Sequence, residues 1–491
     1  MKKNEQLFIG IDIGTSSCKA SVFNIEGDQI KKFSSSYGIS RPNQNWVEQN
    51  PEDYWTATLN VLKNIGSSDD INCNKIKGIG VVGQTPTEIF VDKSGIPLRN
   101  AMIWQDVRAQ EEANILKKEF GQKKFKDILG IPIPISASWS ASKILWVSQN
   151  EPDIAKKTYK ILQPKDFINY KLTGEYFSDN WTSKSLAHLK NGNINKEYLK
   201  FLGFSPNVVP NQYKPFEVAG YIKNGISQKT GIPSGVPVVS GWSDAAAAML
   251  ASGAFFESGI AFNCTGTSEI VGITGNETKF SQELMTIPDY AIGSVMSLYG
   301  PTQSGGGSLV WYNDAFDLNW DFKISQNIEN IIFLPYLEGE RAPIWDPDAK
   351  GVFVGIKTKH NQSNFARAVL EGVAFSVRHV LENAMDVTGI EPDRIRLTGG
   401  GSKNRVWNQI RADVLGITVE TLVVDDSSTL GAAMLAALGT ECYENMSEVS
   451  LKMAKIKEKF KPRDEYNKKY NHLYSLYKEV YKNLSSLFPK F

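Results

Sequence analysis

Cysteine and histidine are both scarce. Only four of each occur among 491 residues, and Cys18, Cys73, Cys264 and Cys442 are scattered without paired spacing. That pattern excludes a disulfide framework and a zinc site built on cysteine pairs, and it fits a reducing cytoplasm. With so few histidines, a His-based metal centre or catalytic triad is not indicated. Charge of one sign is missing as well: 54 Lys plus Arg offset 53 Asp plus Glu, for a formal net charge of +1. A nucleic-acid footprint or a membrane-surface patch needs a strong basic bias, so neither partner is expected. No apolar run reaches the length of a bilayer span. The opening MKKNEQLFIGIDIG imitates a secretory signal, but Asp12 interrupts its apolar stretch and no small-residue cleavage site follows. Two common nucleotide loops are also lacking, GxxxxGK(S/T) and a GxGxxG placed after a strand.

What is present is a repeated hairpin. At 54.6 kDa the chain exceeds the size of one core, so at least two domains are expected. Leu7 to Phe23 reads as an apolar strand ending in Asp12, a turn at Gly14-Thr15-Ser16, and a second strand through Ala20, Val22 and Phe23. Such a turn offers backbone N–H groups, hydroxyls and one carboxylate, the parts a phosphate and its magnesium ion require. Any tight hairpin also favours these residues. The plan recurs at Ile260 to Thr274, with Thr265-Gly266-Thr267-Ser268 in the turn and Cys264 where the first copy has Asp12. Two such hairpins suggest a duplicated domain whose halves face each other across a cleft, with a metal-side carboxylate in the first only. A chain folded that way would be a phosphotransferase of the actin-like type.

Other stretches bear on the same chemistry. A helix is predicted after Asn50-Pro51, with Tyr54, Trp55, Leu59, Leu62 and Ile65 on a core face. The strand Ile76 to Gly83 opens into Gln84-Thr85-Pro86-Thr87-Glu88, the place where open α/β sheets bind ligands. Trp104, Gln105, Asp106 and Arg108 could stack on and hydrogen-bond a polyhydroxylated molecule, or simply form a surface turn with a salt bridge. Ile133 to Trp146 reads as a helix start carrying Lys143 and Trp146, and helical patterning resumes at Lys165 to Leu172. Asp179 to Val209 is polar, poorly periodic and read as surface. The strand Val236 to Val239 leads through Ser240-Gly241-Trp242-Ser243 to Asp244 at a helix start, where an N-cap is the bland reading. In the second half, Ser304 to Ser308 is glycine-rich, and FLPYLEGERAP puts a strand before a charged loop. Ser363 is read as the cap of a core helix over Asn364 to Thr388, stopped by Gly389. The strand Ile395 to Thr398 turns through Gly399-Gly400-Gly401-Ser402-Lys403-Asn404 into a helix, where glycines let a ligand approach the backbone. A small-residue helix at Thr429 to Leu438 precedes an amphipathic surface helix from Asp464 to Leu487.

Taken together, these motifs resemble the FGGY family of carbohydrate kinases from end to end, in particular its xylulokinases. SWSASKILWVSQN at Ser138 to Asn150 is similar to the first family signature, through Ser140, Lys143 and Trp146. GVFVGIKTKHNQSNFARAVLE at Gly351 to Glu371 is similar to the second. The DIGTS hairpin, FLPYLEGERAP and GGGSKN complete the set. The resemblance implies an α/β fold of two ribonuclease-H-like (actin-like ATPase) domains flanking a catalytic cleft. An N-terminal domain over 1–250 would carry the sugar site and the magnesium and phosphate hairpin, and a C-terminal domain over 251–491 would bind the nucleotide. It further implies ATP and Mg2+, a small-molecule sugar as the other partner and a cytoplasmic setting; a homodimer is the assembly considered, though the sequence is silent on oligomeric state.

Carried over residue by residue, Asp244 is the expected general base, because phosphoryl transfer needs alignment and charge neutralisation more than a strong base. Asp12, with Asp244 beside it, is expected on the magnesium side, and Thr15 and Ser16 at the phosphates. Gly266 and Thr267 would contact phosphates from the other half, and Gly306, Gly400, Gly401 and Asn404 would shape the adenosine pocket. Gln84, Thr85, Trp104, Asp106 and Asp244 would meet the sugar. Two departures bear on which sugar. Xylulokinases typically read GQMH where this chain has Gly83-Gln84-Thr85-Pro86, and Asn after the catalytic Asp where it has Ala245. Each removes a hydrogen-bonding group from the acceptor site. The expected reaction is therefore ATP-dependent phosphorylation of a ketopentose such as D-xylulose. The alternatives are another acceptor (ribulose, gluconate or a polyol) or a non-catalytic nucleotide-gated sensor.

Overall fold

The computed structural model describes residues 5–131, 135–183, 185–292, 295–318 and 323–491. Of the predicted helix start at Ile133, the first positions lie outside the described residues. The chain forms two compact units, one of residues 1–251, 290–293 and 428–453, the other of 252–289, 294–427 and 454–491. Among the described residues no helix is long and apolar enough to cross a membrane.

The first unit is built on a six-stranded sheet. Its strands are β1 (Leu7–Ile13), β2 (Ser17–Asn24), β3 (Gln29–Ser36), β4 (Ile76–Gly83), β5 (Val218–Tyr221) and β6 (Pro237–Val239), in the spatial order β5-β6-β4-β1-β2-β3. β1, β4 and β6 are parallel; β2, β3 and β5 run against their neighbours. β1 is buried at every position, as a central strand covered on both faces must be. Helix α1 (Pro51–Gly66) starts where predicted, and the Asn50 side chain accepts the Glu52 N–H as its cap. Helices α2 (Ser140–Asn150), α3 (Pro164–Thr173) and α4 (Asp244–Ala251) follow.

Helix α8 (Ser427–Gly439) belongs to this unit from Ser428 onward, although it comes late in the chain. Glycines let it lie directly on the sheet. A Cβ at Gly10 would stand 1.8 Å from the Thr429 carbonyl oxygen, and one at Gly80 2.0 Å from that of Ala432. The stretch from Asp179 to Val209, expected at the surface, is instead substantially interior: Asp179, Trp181, Thr182, Ser183, Leu186, Leu199 and Leu202 are all buried. Its polarity misled because these groups meet other buried polar groups, as where Lys165 pairs with both Asp166 and Asp179.

The second unit repeats the plan. Strands β7 (Ala261–Thr265), β8 (Glu269–Gly275), β9 (Met285–Ile287), β10 (Met296–Pro301), β11 (Arg394–Gly399), β12 (Thr418–Leu422) and β13 (Ile456–Phe460) are ordered β9-β10-β8-β7-β11-β12-β13. β7, β11 and β12 are parallel, and the remaining neighbouring pairs are antiparallel. Apart from the extra edge strand β9, order and direction match the first sheet, so the duplication inferred from the hairpins extends through the whole frame. This is the expected pair of ribonuclease-H-like domains.

Helix α5 (Gly306–Ala315) follows the glycine-rich turn. The long core helix α6 (Gln362–Thr388) starts before the expected Ser363: Asn361 is its cap, accepting the Ser363 N–H at 3.1 Å while the Asn364 side chain returns a bond to Asn361 N at 3.0 Å. Helix α7 (Arg405–Leu415) and the last helix α9 (Asp464–Leu484) complete the unit. α9 is amphipathic as predicted, yet Tyr470, Leu473, Tyr474 and Tyr477 bury one face beside Phe375 and Trp407.

Candidate active site

In the first unit, sheet register brings the predicted residues to one edge. Ile13 at the end of β1 is opposite Gly83 at the end of β4, and Gly83 bridges in parallel to Ser243 beyond β6. Each is followed at once by a predicted residue or turn: Gly14-Thr15-Ser16, Gln84-Thr85, and Asp244. Carboxyl ends of adjacent parallel strands are where such sheets bind ligands. The Gln84 amide donates to the Ile13 carbonyl at 2.9 Å, fixing the first two turns to each other.

Asp244 is the first residue of α4, half-buried, and its Oδ1 accepts the N–H of Ala245 at 2.6 Å. The capping position belongs to its neighbour. Ser243 Oγ accepts from Ala246 N at 3.4 Å and the Ser243 carbonyl from Ala247 N at 2.9 Å, so the N-cap reading of Asp244 passes to Ser243. Asp12 is buried at the end of β1, and Ser428 Oγ donates to its Oδ2 at 2.6 Å. The two residues are 416 positions apart, and no sequence pattern pointed to the contact. Tyr37, whose hydroxyl donates to the Gly14 carbonyl at 2.5 Å, senses both acids. Burial raises its pKa most, and the charges of Asp12 and Asp244 are among those that raise it further.

The remaining predicted residues of the first unit are braced by buried side chains. Gln84 is buried, and its Nε2 donates to Gln49 Oε1 at 2.8 Å and to the Tyr54 hydroxyl at 3.3 Å. Gln49 in turn donates to the Thr15 carbonyl at 2.8 Å. The α1 face read only as core thus also supplies a phenol to the site. Trp104 is half-buried and its indole N–H donates to Thr15 Oγ1 at 3.0 Å. Asp106 is placed differently. Its carboxylate is fully buried, accepts Val47 N at 2.7 Å, and meets Arg108 Nη2 at 2.6 Å. Arg108 also pairs with Glu48 at 2.6 Å and stacks 3.8 Å from the Trp46 ring centroid. The salt bridge of the bland reading is therefore real, but it is interior, and Asp106 anchors the loop that carries Trp104.

The second unit shows the matching edge. Thr265 at the end of β7 is opposite Gly399 at the end of β11, and Gly266 and Gly400 follow. Gly401 N donates to Thr265 Oγ1 at 2.7 Å, and Gly306 N to the Gly266 carbonyl at 2.8 Å, so three predicted glycines gather on one hairpin. Gly266, Thr267 and Gly400 are exposed, and a Cβ at Gly400 would meet nothing within 4 Å. Asn404 caps α7, its Oδ1 accepting Trp407 N at 3.0 Å. Beneath the hairpin, Glu269 is buried against Arg411 at 2.9 Å, and burial pushes its pKa up to about 7.

Among the described residues no cluster of three His, Cys, Asp or Glu side chains could hold a metal on its own. One buried carboxylate beside hydroxyls suits instead a magnesium ion that arrives on a nucleotide, since Mg2+ is usually held by one or two carboxylates plus substrate phosphates. Asp12 at the hairpin fits that requirement.

The chain is similar to known proteins along nearly its whole length. Residues 7–251 match the N-terminal domain of the FGGY family of carbohydrate kinases, and residues 261–440 its C-terminal domain. The chain is 29% identical to the xylulose kinase of Staphylococcus xylosus over 96% of its own length and 99% of that protein. It is 30% identical to the glycerol kinase of Thermococcus gammatolerans, over 93% and 94% of the two chains. Its fold superposes on the gluconate kinase of Lactobacillus acidophilus with a TM-score of 0.87 at 25% identity, covering 99% of each chain.

Proposed function

The chain belongs to the FGGY family of carbohydrate kinases, and from that premise we propose that it transfers the γ-phosphoryl group of ATP to a hydroxyl of a ketopentose, D-xylulose in the first instance. The observation that carries the reading is the register of three strand ends, which aligns the Gly14-Thr15-Ser16 turn, Gln84 and Asp244 along one edge.

In the proposed mechanism Asp244 accepts the proton of the acceptor hydroxyl as its oxygen attacks the γ-phosphorus and ADP departs. A carboxylate at the first position of α4 is held by the Ala245 N–H, so it is aimed before substrate arrives. In the first unit Thr15 and Ser16 are assigned to phosphate contact; in the second, Gly266 and Thr267 are assigned to phosphate contact and Gly306, Gly400, Gly401 and Asn404 to the adenosine. Asp12 would hold the magnesium side, with Asp244 as the second acid assigned to it. When bound with the nucleotide, Mg2+ supplies neutralisation of the β- and γ-phosphate charge. Gln84, Thr85 and Trp104 read the sugar, and Asp106 acts through the Trp104 loop that it anchors.

Pro86 and Ala245 favour a second acceptor reading, because neither offers the side-chain hydrogen bonds typical of xylulokinases at those places. A coupled ADP-release screen over ketoses, aldoses, polyols and sugar acids separates the two. Fastest turnover of D-xylulose is expected. Preference for a polyol or a sugar acid would move the acceptor class while keeping the kinase. Absence of any acceptor-stimulated ADP release would overturn the proposal.

A further inference from the structure

One buried ammonium group holds the acceptor side of the first unit together. Lys143, on α2, is fully buried. Its Nζ pairs with Glu88 Oε2 at 2.7 Å and donates to the carbonyls of Pro86 at 2.9 Å, Met102 at 3.1 Å and Ile103 at 3.3 Å. Pro86 and Glu88 belong to the turn that begins at Gln84 and Thr85. Met102 and Ile103 lead directly into Trp104, whose indole is bonded to Thr15. Gln163 adds a second tie to the same turn, its Oε1 accepting Thr87 N at 2.7 Å.

A buried ion pair is seldom retained for stability alone, because desolvation offsets most of its attraction and apolar side chains would fill the same volume as well. What an ammonium supplies here is direction. Its donors draw carbonyls from two separate segments to one point, and Glu88 neutralises the charge that makes those bonds strong. Gln84, Thr85 and Trp104 stand at the far ends of the segments so fixed.

We propose that Lys143 is a positioning residue for the acceptor sugar: it locks the turn 84–88 to the segment 102–104, so that Gln84, Thr85 and Trp104 meet the sugar preorganised. The proposal rests on the assignment of those three residues to the acceptor site.

Replacing Lys143 alone would leave the Glu88 carboxylate buried without its partner and destabilise the chain for that reason. The decisive variant is therefore Lys143→Met combined with Glu88→Gln, which removes both charges. Two readouts apply to the full-length protein. The first is hydrogen exchange of the Trp104 indole N–H without ligand, identified by its loss in Trp104→Phe. The double variant is expected to exchange at least about tenfold faster, the mark of a tie weakened by one decade. The second is steady-state kinetics with D-xylulose, or whichever panel acceptor the parent uses best. KM for the acceptor is expected to rise about tenfold while KM for ATP changes by less than about twofold, as lost preorganisation on one side predicts. Parental indole exchange, or a parental acceptor KM in the folded double variant, would overturn the proposal. Should the parent phosphorylate no acceptor, the proposed function fails, and indole exchange still decides the role of Lys143.

Discussion

Replacing Asp244 by asparagine separates its two conceivable jobs, supporting a helix start and accepting a proton. The side chains have the same shape. An asparagine Oδ1 can still accept the Ala245 N–H, a bond of 2.6 Å here, and Ser243 still caps the helix. What stability loses is one negative charge at the N-terminus of an eight-residue helix, about 0.3–1 kcal/mol. On the proposed mechanism the reaction loses its proton acceptor, since an amide does not take a proton at neutral pH. A positioned general base is worth at least about a hundredfold, or about 2.7 kcal/mol of barrier at 1.36 kcal/mol per decade. Asp244→Asn is therefore expected to cut kcat at least about a hundredfold with its urea midpoint almost unmoved. ATP affinity by calorimetry should stay within about twofold, a change below the 1.4 kcal/mol that marks a decade. Ser243→Ala should do the reverse, costing about 1 kcal/mol as a lost cap with a much smaller effect on kcat per folded molecule. Near-normal turnover of Asp244→Asn would refute the base assignment. A loss of activity that only tracked a loss of fold would refute the separation.

Three further outcomes follow from the packing. Gly80→Ala drives a methyl to within 2.0 Å of the Ala432 carbonyl oxygen, and neither strand nor helix backbone can yield; a cost at or above the upper end of the ~1–3 kcal/mol seen for overpacking is expected by chemical denaturation. Ser428→Ala removes the hydroxyl that bonds Asp12. Hydrogen bonds to charged groups are worth about 1.5–3 kcal/mol, so the magnesium concentration for half-maximal rate should rise roughly tenfold while the acceptor KM holds; an unchanged magnesium dependence would count against Asp12 on the metal side. Glu340 is buried, and burial pushes its carboxyl up to about 7 against hydrogen bonds from Gln303, Arg341 and Ser376. Its unfolded counterpart ionises near 4.5, so its contribution is full below that value and is lost as pH rises through about 7. The loss is on the order of 3 kcal/mol at 1.36 kcal/mol per unit. Hydrogen exchange in strand β10 should accelerate over that window, and Glu340→Gln should flatten the response.

Local pattern was enough to make much of this molecule legible. Both hairpins, the strand Ile76–Gly83, helix α1 and the turn after Gly399 lie where apolar period, caps and glycines put them. The reason is that each is decided within a dozen residues, by side-chain alternation and by which turn a backbone can adopt. The chemical candidates were readable on the same footing, because turns at strand ends carry polar residues that no core would accept. Helix limits were less secure: Asn361 rather than Ser363 opens α6, a choice between two equally suitable caps that only the chain's path resolves.

Burial of polar groups and partnership across the chain belonged to tertiary structure. Asp106 looked like a surface or sugar-facing acid and is interior, because Arg108 and the Val47 amide compensate its desolvation. Asp179 to Val209 looked like surface for the same reason. That Ile13, Gly83 and Ser243 end side by side follows from strand register, which depends on pairing between distant segments. The sequence by itself determined where the turns at the strand ends fall and which polar residues and acids they carry. Only the fold decided that Ser428 bonds Asp12, that Lys143 joins the turn 84–88 to the segment 102–104, and that Ser243 caps the helix on which Asp244 stands, since each depends on groups brought together by packing rather than by proximity along the chain.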